Sequence, residues 1–257
     1  MRVTALIGFW ATLKSTLLVA SPVVETIDRL EINWATQKIR FYGQGSVRAI
    51  EGSEGYKGAE KRAWQEGLTY AAGAVKDLYV KAHKGAESDA GKVEEQAKEA
   101  AHGVVTSTSS VKTIYANDGE VRVYLENTVT RALAPKGLRF RQKEANQGTM
   151  SERTGLVLQL DKQMKPRVTY QVVDENSDVL FGPQDLAEEA FRKTLMGRWY
   201  RRPTPAELHD VVGKNPIMLS AAVLSDGRIR VSRDAWDKAL DGHKSMLING
   251  VIALAQP

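Results

Sequence analysis

A chain of 257 residues is long enough for one large core or two small ones, and 42% hydrophobic with 26% charged residues is the balance of a globular protein. The net charge of +5 is a mild basic excess, short of the clustered charge that marks nucleic-acid binders. With no cysteine there is no disulfide, thiolate nucleophile, cysteine metal site or lipid anchor through an N-terminal cysteine, so the core carries stability unaided. Residues 1–21 read as a signal peptide. Arg2 supplies a single-charge n-region, Val3 to Leu13 is apolar, and Lys14 interrupts before Leu17, Leu18, Val19 and Ala20. That is too short and broken for a membrane span, and fits removal near Ala20 or Ser21, just before Pro22. The competing reading is a buried first helix or strand of a cytoplasmic protein.

An N-terminal α+β domain is expected over 22–133. Val23 to Asn33 reads as a lead-in strand (Val24, Ile27, Leu30, Ile32), and Ile39 to Phe41 as a second that meets a bend at Gly43 and Gly45. A long helix begins near Gly58 and runs to Tyr79. One of its stripes is small (Ala59, Ala63, Gly67, Ala71) and the other larger (Trp64, Leu68, Val75, Tyr79). A four-residue step keeps side chains on one face, and a ridge of small ones lets the helix sit close to a sheet. Lys84 to Gly91 reads as a turn, and Asp89 to Ala101 as a largely exposed helix. Val104 to Ala116 and Glu120 to Thr130 read as strands joined by the hairpin signal Asn117-Asp118-Gly119, with Val121, Val123 and Leu125 on one face.

Residues 134–154 form a basic connecting segment (Lys136, Arg139, Arg141, Lys143, Arg153, with Gly137 and Gly148), read as an exposed connection rather than a binding site. A second α+β half is expected over 155–257. Gly155 to Leu160 and Pro166 to Val173 read as strands, and Pro183 opens a helix to about Met196. Thr204, Pro205 and Glu207 make a helix-start signature, ended by Gly213. Ile217 to Leu224 turns at Asp226-Gly227 and returns over Arg228 to Val231. Ser232 caps a helix, and Met246 to Leu254 closes the chain as a strand. Strand–helix alternation is irregular throughout, so the fold class is α+β: a long alanine-rich helix on a mostly antiparallel sheet, with a second α+β half.

Tests for chemistry return little. The four histidines, His83, His102, His209 and His243, show no four-residue helical pairing. Asp174-x-Asn176-x-Asp178, with Asp185 at the twelfth place, has calcium-loop spacing, but Val179 stands where the turn needs glycine and the last ligand is not Glu. Gly43-x-Gly45 lacks the third glycine of a dinucleotide fingerprint, because Arg48 stands there; close backbone packing or a bulge explains it better. No Gly-x-Ser-x-Gly or Gly-Lys-Ser/Thr loop occurs. The suggestive cluster is Arg198-Trp199-Tyr200-Arg201-Arg202. Three guanidiniums among two rings suit a protein partner or stacked bases. The plainer reading has the rings closing the core and the arginines pairing with Glu188 and Glu189.

Several stretches recur together, in this order, in a known family: Ile32-Asn33-Trp34 leading to Ile39 and Gly43-x-Gly45, then Gly58-Ala59-x-x-x-Ala63 continuing to Ala71. Thr154-Gly155-Leu156-Val157 follows, with Pro166 and Val172-Val173-Asp174-Glu175-Asn176. Last come Gly197-x-x-Tyr200, Val212-Gly213-Lys214-Asn215-Pro216-Ile217 with Ala221 and Ala222, and Val231-Ser232-x-x-Ala235. The chain resembles the family of the twenty-kilodalton outer-membrane lipoprotein and the N-terminal region of flagellar assembly protein T. The resemblance implies an exported component of the Gram-negative envelope, structural or assembly-related, some relatives building rings around the flagellar motor and none an enzyme. The missing lipid-bearing cysteine departs from the lipoprotein members, so attachment would run through a partner or an uncleaved N-terminus.

The expectation is therefore a non-enzymatic periplasmic or envelope protein that works through protein contacts, including homo-oligomers, with Arg198, Trp199, Tyr200, Arg201 and Arg202 as partner-binding residues and no cofactor or metal. The alternative is a cytoplasmic nucleic-acid or anion binder using Arg198, Arg201, Arg202 and the 136–153 segment.

Overall fold

The computed structural model describes residues 21–48, 55–83, 90–135, 138–141, 153–241, 243 and 245–257. The signal-peptide expectation over residues 1–20, the 84–89 part of the expected turn, and Lys136, Gly137, Lys143 and Gly148 lie outside the described residues.

β1 (Ser21–Pro22) precedes β2 (Val24–Ile27), β3 (Leu30–Asn33) and β4 (Lys38–Ser46). The lead-in strand is thus a hairpin: Asp28, at φ 50°, helps reverse the chain, and Val24 pairs with Asn33. β5 (Ser109–Tyr115) and β6 (Glu120–Thr128) complete a five-stranded antiparallel sheet in the order β2-β3-β4-β6-β5, with Gly119 at φ 85° in the predicted turn. Alternation sets what is buried: Leu30, Ile32, Ile39, Phe41, Val121, Val123 and Leu125 are each 1% exposed or less.

That face takes α1 (Gly55–His83). Its buried line is Gly55, Ala59, Ala63, Gly67, Ala71, Val75, Tyr79 and His83. The two expected stripes are therefore one, with Trp64 and Leu68 half-buried beside it. A four-residue step overshoots a helical turn by about 40°, so the line winds round the axis. Its first part lies on β4; further along, the Tyr79 hydroxyl donates to Gln96 of α2 (Ala90–Ser107) at 2.9 Å. The expected bend at Gly43 and Gly45 is absent, because β4 runs on through Ser46. A Cβ on Gly43 would strike the Ala63 carbonyl and the Gly67 amide, and one on Gly45 the Ala59 carbonyl, so the glycines serve close packing. α2 is less exposed than expected, burying Val93, Ala97, Ala100, Ala101 and Val104. It also runs to Ser107, where Thr106, Ser107 and Thr108 hydroxyls donate back to helix carbonyls, so the strand begins later than Val104. α3 (Val129–Leu133) follows β6, capped by Thr128.

The second sheet contains β7 (Leu156–Leu160), β8 (Val172–Val173), β9 (Val179–Phe181), β10 (Arg198–Arg201), β11 (Ile217–Val223), β12 (Ile229–Arg230) and β13 (Ile252–Gln256). Its order is β1-β10-β13-β7-β11-β12-β8-β9, and the central β10, β13, β7 and β11 run parallel. Parallel neighbours need crossovers. α4 (Glu188–Thr194) leads into β10, α5 (Pro205–Val212) joins β10 to β11, and α6 (Arg233–Leu240) with α7 (Ser245–Ile248) leads to β13.

Thr204 and Glu207 form the predicted capping box, Gly213 ends α5 at φ 76°, and Ser232 caps α6. Three spans differ from expectation. Of Pro166–Val173 only Val172 and Val173 join the ladder, although Val168 and Tyr170 are buried on the way. The Pro183 helix splits into a 3-10 turn (Pro183–Asp185) and α4, and Met246–Leu254 divides between α7 and β13.

The observed fold is α+β. One apolar cluster runs from Val23 to Leu254 through both halves, and a smaller one (Ala35, Val157, Tyr200, Val212, Ala253) lies under α5. Where the sheets meet, the Gln37 amide donates to the Thr194 and Gly197 carbonyls, and the Trp199 amide to that of Trp34 at 3.3 Å. β1 belongs to the second sheet, Ser21 pairing with Arg201.

Candidate functional site

The run 198–202 is β10 and the residue beyond it, and strand alternation divides its side chains. Trp199 points into the main core, 1% exposed and edge-on to Tyr170 at 5.9 Å. Tyr170 donates its hydroxyl to the Met196 carbonyl at 2.8 Å, and burial pushes its phenol far up. Tyr200 turns the other way, into the cluster under α5; burial raises its phenol against the opposing pull of the Arg198 guanidinium. Both rings are therefore held in packing. Arg198 is half-buried, and Arg201 and Arg202 are exposed. Glu188 and Glu189 pair one turn along their own helix with Arg192 (2.7 Å) and Lys193 (3.6 Å), not with these arginines. Arg201 and Arg202 make no ion pair among the described residues. Arg202 stands at φ 47°, an uncommon conformation for a side-chain-bearing residue, while its amide donates to the Gln256 carbonyl at 2.8 Å.

Beside β10, the outer face of the sheet carries the rows Arg198–Ala253–Val157–Met218 and Tyr200–Ala255–Gln159–Ser220. α5 packs on the Tyr200, Ala253 and Val157 part, leaving Gln159, Ser220 and Met218 exposed, Met218 by 45%. A shallow cleft of about 660 Å³ lies toward the carboxyl ends of β7 and β11, where ligands of open parallel sheets bind. Its acids are engaged locally: Asp161 accepts from the Val223 amide at 2.9 Å and Glu175 from the Arg233 amide at 3.1 Å. They act as backbone caps, and Ser232 in the same cleft is a helix cap.

The first sheet offers a different surface. Edge strand β5 exposes Val111 (49%), Ile114 (37%) and Tyr115 (52%), and exposed Tyr56 stands edge-on to Tyr115 at 5.8 Å. Lys112 and a register irregularity between Ser110 and Lys112 interrupt this edge, features that limit indiscriminate pairing.

The calcium-like loop is organised by its own groups. Asp174, 1% exposed, accepts the Asn176 and Asp178 amides at 2.9 and 2.8 Å and pairs with Arg233 at 2.9 Å. Burial alone would raise its carboxyl; those hydrogen bonds and the guanidinium charge outweigh it and hold the group below the usual range. The histidines sit apart in the chain: His83 ends α1, His102 is in α2, His209 in α5, and His243 follows α6. Among the described residues no three His, Cys, Asp or Glu are grouped as for a metal ion. The basic segment is partly packed: Phe140 lies 5.2 Å from Phe191, and the Arg141 amide donates to the Leu186 carbonyl.

Sequence reasoning missed a basic cavity of about 530 Å³ between the last turn of α1, the β2–β3 hairpin and residues 165–169. Its wall comes from stretches far apart in the chain, so no local motif announces it. No family model matches the chain, and no curated protein matches it.

Proposed function

We propose that this protein is a non-enzymatic component of the Gram-negative cell envelope, in the manner of the outer-membrane lipoprotein and flagellar assembly proteins it resembles, working through protein–protein contacts. The observation that carries the reading is the edge of the first sheet. Tyr56 of α1 stands edge-on to Tyr115 of the edge strand β5, and Val111 and Ile114 are exposed on the same strand; exposed aromatic and aliphatic side chains at a sheet edge suit a protein partner. Exposed Arg201 and Arg202, at the end of β10, offer polar side chains for such a contact. The nucleic-acid alternative has less support, because Trp199 and Tyr200 have no face on which a base can stack.

Fractionation of producing cells with N-terminal sequencing tests the compartment: periplasmic or membrane residence is expected, and cytoplasmic residence with Met1 retained overturns the reading. Photo-reactive residues at 115 and 202 test the contact. Both are expected to capture envelope proteins, this chain included, whereas one at exposed position 73 is not. Failure of 115 and 202 together removes the proposal's support.

A further inference from the structure

The cavity at the end of α1 lies where the two halves meet, a preferred place for ligands, and its volume of about 530 Å³ suits a small organic molecule. One side is apolar, built from Ile32, Trp34, Leu133 and Val168, each at most 6% exposed. The Trp34 indole N–H has no acceptor among the described residues, an uncommon and costly state for a buried donor. Among the described residues the charged lining is Lys81, Lys165 and Arg167 against Glu25, with the His83 ring beside them.

These groups are not equally committed. Glu25 already holds Lys165 at 2.8 Å. Arg167 gives one N–H to the Asp226 carbonyl at 3.2 Å, and a guanidinium has four more. Lys81 makes no ion pair among the described residues. His83 Nδ1 lies 2.8 Å from the Tyr79 carbonyl, which can only accept, so Nδ1 carries the hydrogen and Nε2 is the ring atom without a partner among the described residues. The carbonyl end of α1 opposes an anion, and Lys81 in its last turn offsets that field. With Lys165 paired to Glu25, net attraction then comes from Arg167, which the second half of the chain delivers only on folding.

We infer that this cavity binds a small amphipathic anion: one carboxylate or phosphate, held by Lys81 and Arg167, on an apolar body lying against Trp34, Ile32 and Leu133. An anionic head on such cations makes charge-assisted hydrogen bonds, while the apolar wall favours a tail over a bare ion. The occupant of this cavity is independent of what the β5 edge touches, so either test can fail without the other.

The test uses the full-length chain titrated with decanoate, followed by calorimetry and by tryptophan emission. Saturable binding is expected, and Lys81→Gln or Arg167→Gln should each weaken it by about tenfold. Both side chains are on the surface, so melting temperatures should change little, least for Lys81→Gln, because Arg167 also donates to the Asp226 carbonyl. Decanol, of the same length without the charge, should bind about tenfold more weakly. An emission change that disappears in Trp34→Phe places the ligand at this wall. Decanol binding as tightly as decanoate overturns the inference, as does undiminished binding by both variants or the absence of saturation. Flotation with phosphatidylglycerol vesicles separates the sources: flotation lost in the Lys81→Gln/Arg167→Gln double variant assigns a bilayer headgroup, and decanoate binding with unaltered flotation assigns a free amphiphile.

Discussion

Three glycines sort by what surrounds the missing side chain. A Cβ on Gly43 meets helix backbone, which cannot yield; one on Gly67 meets the Leu125 Cδ1 at 2.9 Å and Gly43 backbone at 3.0 Å; one on Gly73 meets nothing within 4 Å. Gly43→Ala should therefore cost about 3 kcal/mol. Gly67→Ala should cost less, since helix propensity repays about 1 kcal/mol. Gly73→Ala should stabilise by about 0.5–1 kcal/mol. Urea unfolding of the three variants measures the order, and equal effects at 43 and 73 would contradict the seating of α1 on β4.

Asp174 is the other residue with a sharp consequence. Its carboxyl lies below its ordinary value in the folded chain, so it contributes stability above about pH 4 and loses it as pH falls through the lower folded value. Stability from this group should be flat from pH 5 to 7 and decline below about pH 4. In Arg233→Met the Asp174 carboxyl should titrate higher and the acid-side decline should shift upward, both measurable by NMR and by unfolding at stepped pH.

At the level of elements, the signals that survived are those with a local mechanism. Thr204-Pro205-x-Glu207 was legible because the cap closes within one turn: Glu207 accepts the Thr204 amide at 2.8 Å, and Thr204 accepts the Glu207 amide at 3.3 Å. Thr204→Ala should cost about 1 kcal/mol, read as a lower urea midpoint, with a smaller cost for Thr204→Ser. The hairpins at Gly119 and Gly227 were legible because both positions need positive φ (85° and 82°). The Pro183 helix is shorter than expected because Gly182 and Asp185 close a separate 3-10 turn, with the Gly182 amide on the Asp185 carboxylate at 2.8 Å. α2 is less exposed than its weakly apolar alanines suggest because α1, itself lined with alanine, lies against them.

Across the whole molecule, the seam joins the two sheets through one apolar cluster and shared hydrogen bonds. Gln37 gives both amide hydrogens to carbonyls of the other half, and β1 pairs there while the next strand pairs in the first sheet. Since one apolar cluster crosses the seam, ellipticity at 222 nm and tryptophan emission should follow a single coincident unfolding transition. Gln37→Ala should lower stability by about 1–3 kcal/mol by removing the donor to the Gly197 carbonyl, while the Thr194 carbonyl keeps the Gly197 amide at 3.1 Å. A separated two-step transition would show that the halves fold independently.

Of the candidate surfaces, the 198–202 run was visible as a cluster, but which of its members face solvent was not. Alternation is readable along β10, yet which face is inner depends on α5 and on strands β13 and β7 from elsewhere in the chain. By itself the amino-acid sequence determined the periodicities, caps and turns, since these arise from residues within a few positions of each other, and with them the α+β class. Only the tertiary structure decided that the central strands of the second half run parallel, that Trp199 and Tyr200 lie in opposite cores, and that Lys81 and Arg167 line one cavity. Those outcomes depend on contacts between residues tens of positions apart, whose geometry no local spacing encodes.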